Sequence, residues 1–215
     1  MASNTPIKST LLVLALAATA CGDDGPGAGR STAGDVPVVA VVAQPCTRPT
    51  PDRGLGVVVG DDLVATAAHT VEGRRRQLTV DGLAASVVGV DERTDLALLA
   101  VPTTGHPGRL EDGPATSALV HTTDGPVPVA IVRTVTLIVN DVTAGVRHER
   151  QAHAFTPGVL GGTSGAPLTT ADGGILGIVV LDRRDDDLAY AVTTAELRTL
   201  LAAEQGLRQE TGCGD

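Results

Sequence analysis

Turn signals recur along this chain at short intervals, and the stretches between them are apolar and rich in valine. Asp81-Gly82, Asp112-Gly113-Pro114, Asp124-Gly125-Pro126 and Asp172-Gly173 each interrupt runs of β-branched or small aliphatic residues. Glycine takes positive φ at no steric cost, and proline cannot continue a hydrogen-bonded ladder, so such pairs reverse the backbone. Short apolar runs between reversals form strands, the rhythm of an all-β sandwich or barrel. Strands are expected at residues 38–43, 56–60, 63–66, 83–90, 96–101, 117–121, 127–139, 152–155, 175–181 and 188–192. Residues 56–60 and 63–66 read as a hairpin about Asp61-Asp62. One helix is expected, because Thr193-Thr194-Ala195-Glu196 has the pattern of a capping box ahead of Leu197, Leu200 and Leu201. No internal repeat stands out.

Composition sets the kind of core. Apolar residues make up 42% of the 215, but Phe155 and Tyr190 are the only aromatics. The interior must therefore be built from Val, Leu, Ala and Ile, which again favours strands. A net charge of −9 argues against a nucleic-acid partner, whose footprint would be basic. The one basic triplet, Arg74-Arg75-Arg76, reads as a solvated loop.

The N-terminus reads as a targeting segment. Lys8 supplies a positive start, and residues 11–20 are an apolar run too short for a permanent membrane helix. The run ends in Ala18-Thr19-Ala20-Cys21. Small residues directly before a cysteine resemble a bacterial lipoprotein signal, with Ala18 where leucine is usual. The organisation expected is a signal peptide (1–20), a flexible tether (21–35) and one domain (36–215). Cys21 would carry lipid and anchor an exported protein to the bacterial cell membrane, facing the periplasm or the exterior. The alternative is ordinary cleavage near Ala20, with Cys21 left as a thiol. Three cysteines are present; if Cys21 is lipidated, Cys46 and Cys213 remain to pair in an oxidising compartment. With no Cys-x-x-Cys, a cysteine zinc site is not expected, nor is any other metal or cofactor.

Three residues could form a nucleophile, a base and an orienting acid. Ser164 lies in Gly161-Gly162-Thr163-Ser164-Gly165-Ala166-Pro167. Glycines on both sides of a serine allow a tight bend that exposes the hydroxyl and leaves backbone N–H groups to hold an oxyanion. Alone, the stretch would more often be a simple glycine-rich turn. His69 follows an apolar strand in Thr66-Ala67-Ala68-His69, and Asp95 stands at the mouth of another, in Asp95-Leu96-Ala97-Leu98. A carboxylate there is costly without a partner, and an imidazole Nδ1–H is a natural one.

Taken together and in order, the three segments resemble the signatures of trypsin-like serine proteases in the compact bacterial HtrA and MarP-like branch. The resemblance runs from about Val38 to the end of the chain. It implies two six-stranded antiparallel β-barrels with a C-terminal helix and an active site in the cleft between them. It further implies Ser164 as nucleophile, His69 as general base and acid, Asp95 as orienter, and the N–H groups of Gly162 and Ser164 as oxyanion hole. By position, Gly158, Val159 and Leu160 would form one wall of the specificity pocket and Val179, Val180 and Leu181 another. No charge lies in either, so a small or medium aliphatic side chain before the scissile bond is expected. Cys46 and Cys213 resemble the terminal cysteine pair of MarP-like enzymes. Thr163 replaces the usual Asp or Asn, so activation by insertion of a new N-terminus is not expected, and Ala166 replaces a usual glycine. No peptide-binding module follows the helix, and no aromatics drive trimer packing, so a monomer is expected.

Other chemistries fit less well. His148-Glu149 and His153 resemble a zinc-peptidase motif with one residue too many. An α/β-hydrolase would need a histidine after its serine, and none follows Ser164. His106, His121, His148 and His153 read as surface residues. The function expected is a membrane-tethered serine endopeptidase that acts on exported or envelope proteins. The competing reading is a catalytically silent lipoprotein that keeps the fold as a binding or sensor module.

Overall fold

The computed structural model describes residues 36–73, 75–102, 105–140, 147–157, 162–183, 187–203 and 213. All of them belong to the second of the two units into which the chain divides, Ser31–Asp215. The signal segment, the tether, Cys21, Arg74 and the proposed pocket residues Gly158, Val159 and Leu160 lie outside the described residues.

Strands β1 (Val38–Pro45), β2 (Asp52–Gly60) and β3 (Leu63–Ala67) follow one another as antiparallel neighbours. One helical turn, α1 (Ala68–Val71), leads to β4 (Arg75–Val80), which pairs along the other side of β1. Then come β5 (Leu83–Ala84), β6 (Ser86–Asp91) and β7 (Leu96–Ala100), with β7 between β6 and β3. The resulting sheet has seven strands in the order β5-β4-β1-β2-β3-β7-β6, where six in a closed barrel were expected. Its two edges are halves of one run, since only Ala85 separates β5 from β6. The Ala85 N–H donates to the Leu78 carbonyl at 3.0 Å, which ties the bend to β4. Counted as one bent strand, residues 83–91 close the sheet into a six-stranded barrel whose ladder breaks at the bend.

The second half is a closed barrel of β8 (Ser117–Thr122), β9 (Gly125–Asn140), β10 (Arg147–Thr156), β11 (Pro167–Thr169), β12 (Ile175–Arg183) and β13 (Leu188–Thr193). They close in the order β10-β13-β12-β11-β8-β9, and helix α2 (Thr194–Ala202) ends the fold.

Burial explains the sequence pattern. β1, β6 and β8 alternate between buried and more exposed positions, as strands with one solvated face must. The unbroken apolar run of β7 is buried on both faces: Ala97 and Leu99 enter the first barrel, while Leu96 and Leu98 enter a shared layer with Val57, Ile178 and Leu197. β12 does the same, with Val179 inside the second barrel and Ile178 and Val180 in the shared layer. Full burial of such a side chain stabilises by roughly 1.5–3 kcal/mol, so this layer fixes the barrels and α2 as one domain. Phe155 fills the second barrel, whereas the first is wholly aliphatic.

Four expectations need correction. Arg75 is no solvated loop residue: it begins β4 and is buried, while Arg76 donates from its guanidinium to the Cys46 carbonyl at 3.3 Å. His153 is buried rather than on the surface, with Nδ1 3.0 Å from the Thr134 hydroxyl. β11, too short to leave a period in the sequence, was not foreseen. Helix α2 forms where expected but without the capping box, because Glu196 turns away to Arg93 and to the Gln151 N–H. Cys46, just after β1, is disulfide-bonded to Cys213 across 167 residues, with Cα atoms 5.7 Å apart.

Candidate active site

The histidine and the aspartate are brought together by sheet register. Ala67 at the end of β3 pairs with Leu96 at the start of β7, so the residues beyond each strand must meet. The Ala68 N–H donates to the Asp95 carbonyl at 2.9 Å, and the His69 N–H donates to Asp95 Oδ1, also at 2.9 Å. Asp95 adopts a left-handed backbone conformation (φ +60), which aspartate tolerates better than most residues. The preceding turn is set by Asp91, whose carboxylate accepts from the Arg93 N–H at 3.0 Å and the Thr94 hydroxyl at 2.8 Å.

The serine is placed by a glycine turn. The Ala166 N–H donates to the Thr163 carbonyl at 2.9 Å, which leaves Ser164 and Gly165 as the central residues of a β-turn. Gly165 has φ +84, and a Cβ there would lie 1.9 Å from the Leu55 carbonyl oxygen, so only glycine fits. The turn is stitched to the first barrel, because the Leu55 N–H donates to the Ser164 carbonyl at 2.8 Å. Gly54 permits this approach; a Cβ there would sit 2.6 Å from that same oxygen.

The three side chains lie in line. Asp95 Oδ2 is 2.8 Å from His69 Nδ1, and His69 Nε2 is 2.8 Å from Ser164 Oγ. A carboxylate can only accept, so Nδ1 carries the proton and Nε2 presents its lone pair to the serine hydroxyl. The hydrogen bond to Asp95 raises the His69 pKa above its ordinary 6.5. Partial burial and the Arg150 cation oppose that rise, and Asp95 and Glu72 charge adds to it. The arrangement can remove a proton from Ser164, hold it on an imidazolium beside a carboxylate, and return it.

Gly162 precedes the turn with φ +98 and, among the described residues, nothing within 4 Å of where a side chain would be. Among the described residues, neither the Gly162 nor the Ser164 N–H donates to a backbone carbonyl. A cavity of about 560 Å³ adjoins Gly162, walled by Val41, Gly54 and Leu55 of the first barrel and by Val127, Pro157 and Thr163 of the second. Of the residues expected to line a specificity pocket, Val179 and Val180 are core residues, and only the backbone pairing of Leu181 with Tyr190 is described. Ala166 is fully buried in the second barrel, where its methyl is accommodated. His148 and His153 are five residues apart on β10 and so project from opposite faces, which removes the zinc-peptidase geometry.

One neighbour of the triad was not anticipated. Arg150 of β10 is 4% exposed, and its guanidinium reaches to 3.9 Å from Asp95 Oδ2. The alternation along β10 puts it on the same buried outer face as Ala152 and Ala154, opposite Phe155, which enters the barrel. Its neighbours Arg147, His148, Glu149 and Gln151 are polar or charged, so nothing local sets it apart.

No family model matches the chain. The sequence is 30% identical over 178 residues to "Serine protease HTRA1" of Xenopus tropicalis, covering 75% of this chain; it spans 38% of that relative's length. Among solved structures, the active form of the Rv3671c protease from M. tuberculosis superposes with a TM-score of 0.73 at 28% identity, covering 82% of this chain and 83% of that one. An inactive form of the same protease gives a TM-score of 0.63 at 27% identity over 77% and 87% of the two chains. The HtrA-type protease AlgW with a tripeptide gives 0.61 at 20% identity over 77% and 59%, a likeness of fold alone.

Proposed function

We propose that this chain, a trypsin-like serine protease of the HtrA and MarP branch by sequence and fold, is an endopeptidase that works through Ser164, His69 and Asp95. The observation that carries the reading is the unbroken line from Asp95 Oδ2 through both nitrogens of His69 to Ser164 Oγ, two contacts of 2.8 Å each. Ser164 Oγ attacks the peptide carbonyl while His69 Nε2 takes its proton. The oxyanion that forms is held by the N–H groups of Gly162 and Ser164, each worth about 3 kcal/mol in the transition state. His69 then protonates the leaving amine, and water releases the acyl group by the same steps in reverse. Asp95 keeps the imidazole in the productive tautomer throughout. The likeness to the active form of the M. tuberculosis protease, with the higher TM-score of the two, supports a working arrangement.

The substrate is a protein or peptide with a small or medium aliphatic side chain before the scissile bond. Strong cleavage of a peptide library after Arg or Lys would overturn that preference. Lipid on Cys21 tethers the monomeric enzyme to the bacterial membrane, where exported or envelope proteins are its substrates. Among the described residues no helix is long and apolar enough to cross a membrane. The tether is tested by Cys21→Ser, which should release the protein from the membrane fraction.

A fluorophosphonate probe tests the central claim. The wild type should label and Ser164→Ala should not. A folded wild type that fails to label would point instead to a silent binding or sensor module built on the same fold.

A further inference from the structure

We infer that Arg150 is a positioning residue of the triad: a buried cation, supplied by the second barrel, that faces the Asp95 carboxylate and keeps it set against His69. The oxygen it faces, Asp95 Oδ2, is also the one that accepts the His69 Nδ1 proton, while Oδ1 is occupied by the His69 N–H. Asp95 is thus held from the first barrel by backbone and imidazole, and from the second it faces a guanidinium at 3.9 Å.

The chemistry of the surroundings favours this role over a structural one. Arg150 stands beside an apolar cluster of Ala152, Ala154 and Tyr190. Burial lowers its pKa, with Asp95 and Asp91 acting against that effect. Its Nε has no hydrogen-bond partner among the described residues, and 3.9 Å is long for an ion pair. An ion pair buried at that distance is weak evidence for a stabilising role. The nearby surface pair does not need it either: Arg93 already bridges Asp91 and Glu196, at 3.4 and 2.8 Å, and donates to the Glu149 carbonyl. The charged groups facing the pair are therefore Asp95, Asp91, Arg93 and Glu196 around Arg150, with Glu72 the further anion near His69. Of these, Arg150 is the cation that lowers the His69 pKa, against the rise caused by Asp95.

The test compares Arg150→Met, Arg150→Lys and wild type by pH–rate profile, together with NMR titration of the histidine imidazoles in a Ser164→Ala background. Arg150→Met should fold with some loss of stability, because Asp95 keeps its charge and its bonds to His69. Its His69 titration and the acid limb of kcat/KM should both move to higher pH. Its plateau kcat should fall by on the order of tenfold or more, since misplacing a catalytic group by about 1 Å can cost 10²-fold. Arg150→Lys keeps the charge and should restore most of the titration. An unmoved His69 titration in Arg150→Met, or in Arg150→Gln should the Met variant not fold, would overturn the inference. So would equal displacement by Lys and Met. The kinetic arm rests on the triad reading above, but the NMR arm does not. A wild type silent toward fluorophosphonate would defeat the function, while a moved titration would still establish the Arg150 contact.

Discussion

The two barrels hold their parts of the site in different ways. In the first, His69 and Asp95 flank adjacent, register-paired strands and are locked by backbone N–H groups within one short neighbourhood. In the second, Ser164 sits on a glycine turn that depends on the opposite barrel, with the Leu55 N–H on its carbonyl and Gly165 against the Leu55 oxygen. Their interiors differ in kind as well. The first is packed with Val, Leu and Ala; the second admits Phe155 and His153, while Tyr190 and Arg150 are buried on its outer face. The base and its orienter are thus built mainly by one sheet, with Arg150 alone added from the other barrel, whereas the nucleophile is correctly placed only when the barrels are docked. Chemistry and stability should separate in the first barrel and move together in the second.

The sharpest way to break that contrast is Asp95→Asn. An amide presents N–H where a carboxylate accepts and favours the wrong imidazole tautomer, so kcat/KM should fall on the order of 10⁴-fold. Because the Oδ1 contact to the His69 N–H can persist, the melting temperature should change little. A large loss of stability would show that the first-barrel half is not locally held.

Next in size is the disulfide. Opening a loop closed across 167 residues removes about 5 kcal/mol in the chain-entropy model, an upper figure when the unfolded chain retains structure. Cys46→Ser should therefore lower the melting temperature under oxidising conditions and leave the pH profile of the surviving folded enzyme unchanged. A reducing agent should then shift wild type toward the variant. Equal melting of oxidised and reduced wild type would mean that the bond contributes nothing.

Gly165→Ala acts on the second-barrel half alone. The added methyl would meet the Leu55 oxygen at 1.9 Å and the Thr66 hydroxyl at 2.4 Å, at a backbone angle that suits glycine. Overpacking and the left-handed conformation together cost about 2–5 kcal/mol. Labelling of Ser164 and thermal stability should fall together. Loss of labelling at full stability would show that the turn can shift without undocking the barrels.

Much of this could be read from the sequence, for identifiable reasons. Val-rich runs between Asp-Gly and Pro signals were long enough to give the strands, and the unbroken runs of β7 and β12 have their physical cause in burial on two faces. What could not be read was set by tertiary contact. Arg75 and Arg76 looked like a solvated pair until β1 offered β4 an edge. Three-residue β11 is a strand only because β8 and β12 flank it. Glu196 has the spacing of a cap, yet Arg93 and the Gln151 N–H bind it more favourably than its own helix does. Ser164, His69 and Asp95 were legible because the chemistry restricts their residue types and order. Arg150 was not, because nothing local distinguishes a positioning arginine from a solvated one on a strand.

The smallest predicted effect compares the histidines of the two barrels. In the first, the hydrogen bond to Asp95 raises the His69 pKa. The acid limb of kcat/KM should thus lie above 6.5, since only neutral imidazole accepts the serine proton. In the second, burial lowers the pKa of His121 and His153. The signs for stability are opposite. His69 binds its proton more tightly when folded, so its contribution is full below pH 6.5 and fades as pH rises through the folded value. His121 and His153 bind theirs less tightly when folded, so stability is lost as pH falls from about 6.5 toward their folded values. Melting temperatures across pH 7.5 to 5.5 should therefore respond in opposite directions to two substitutions. His69→Ala should steepen the loss on acidification by removing the compensating group, and His153→Gln should flatten it. Parallel curves for the two variants would show that the barrels do not differ in how they hold their imidazoles.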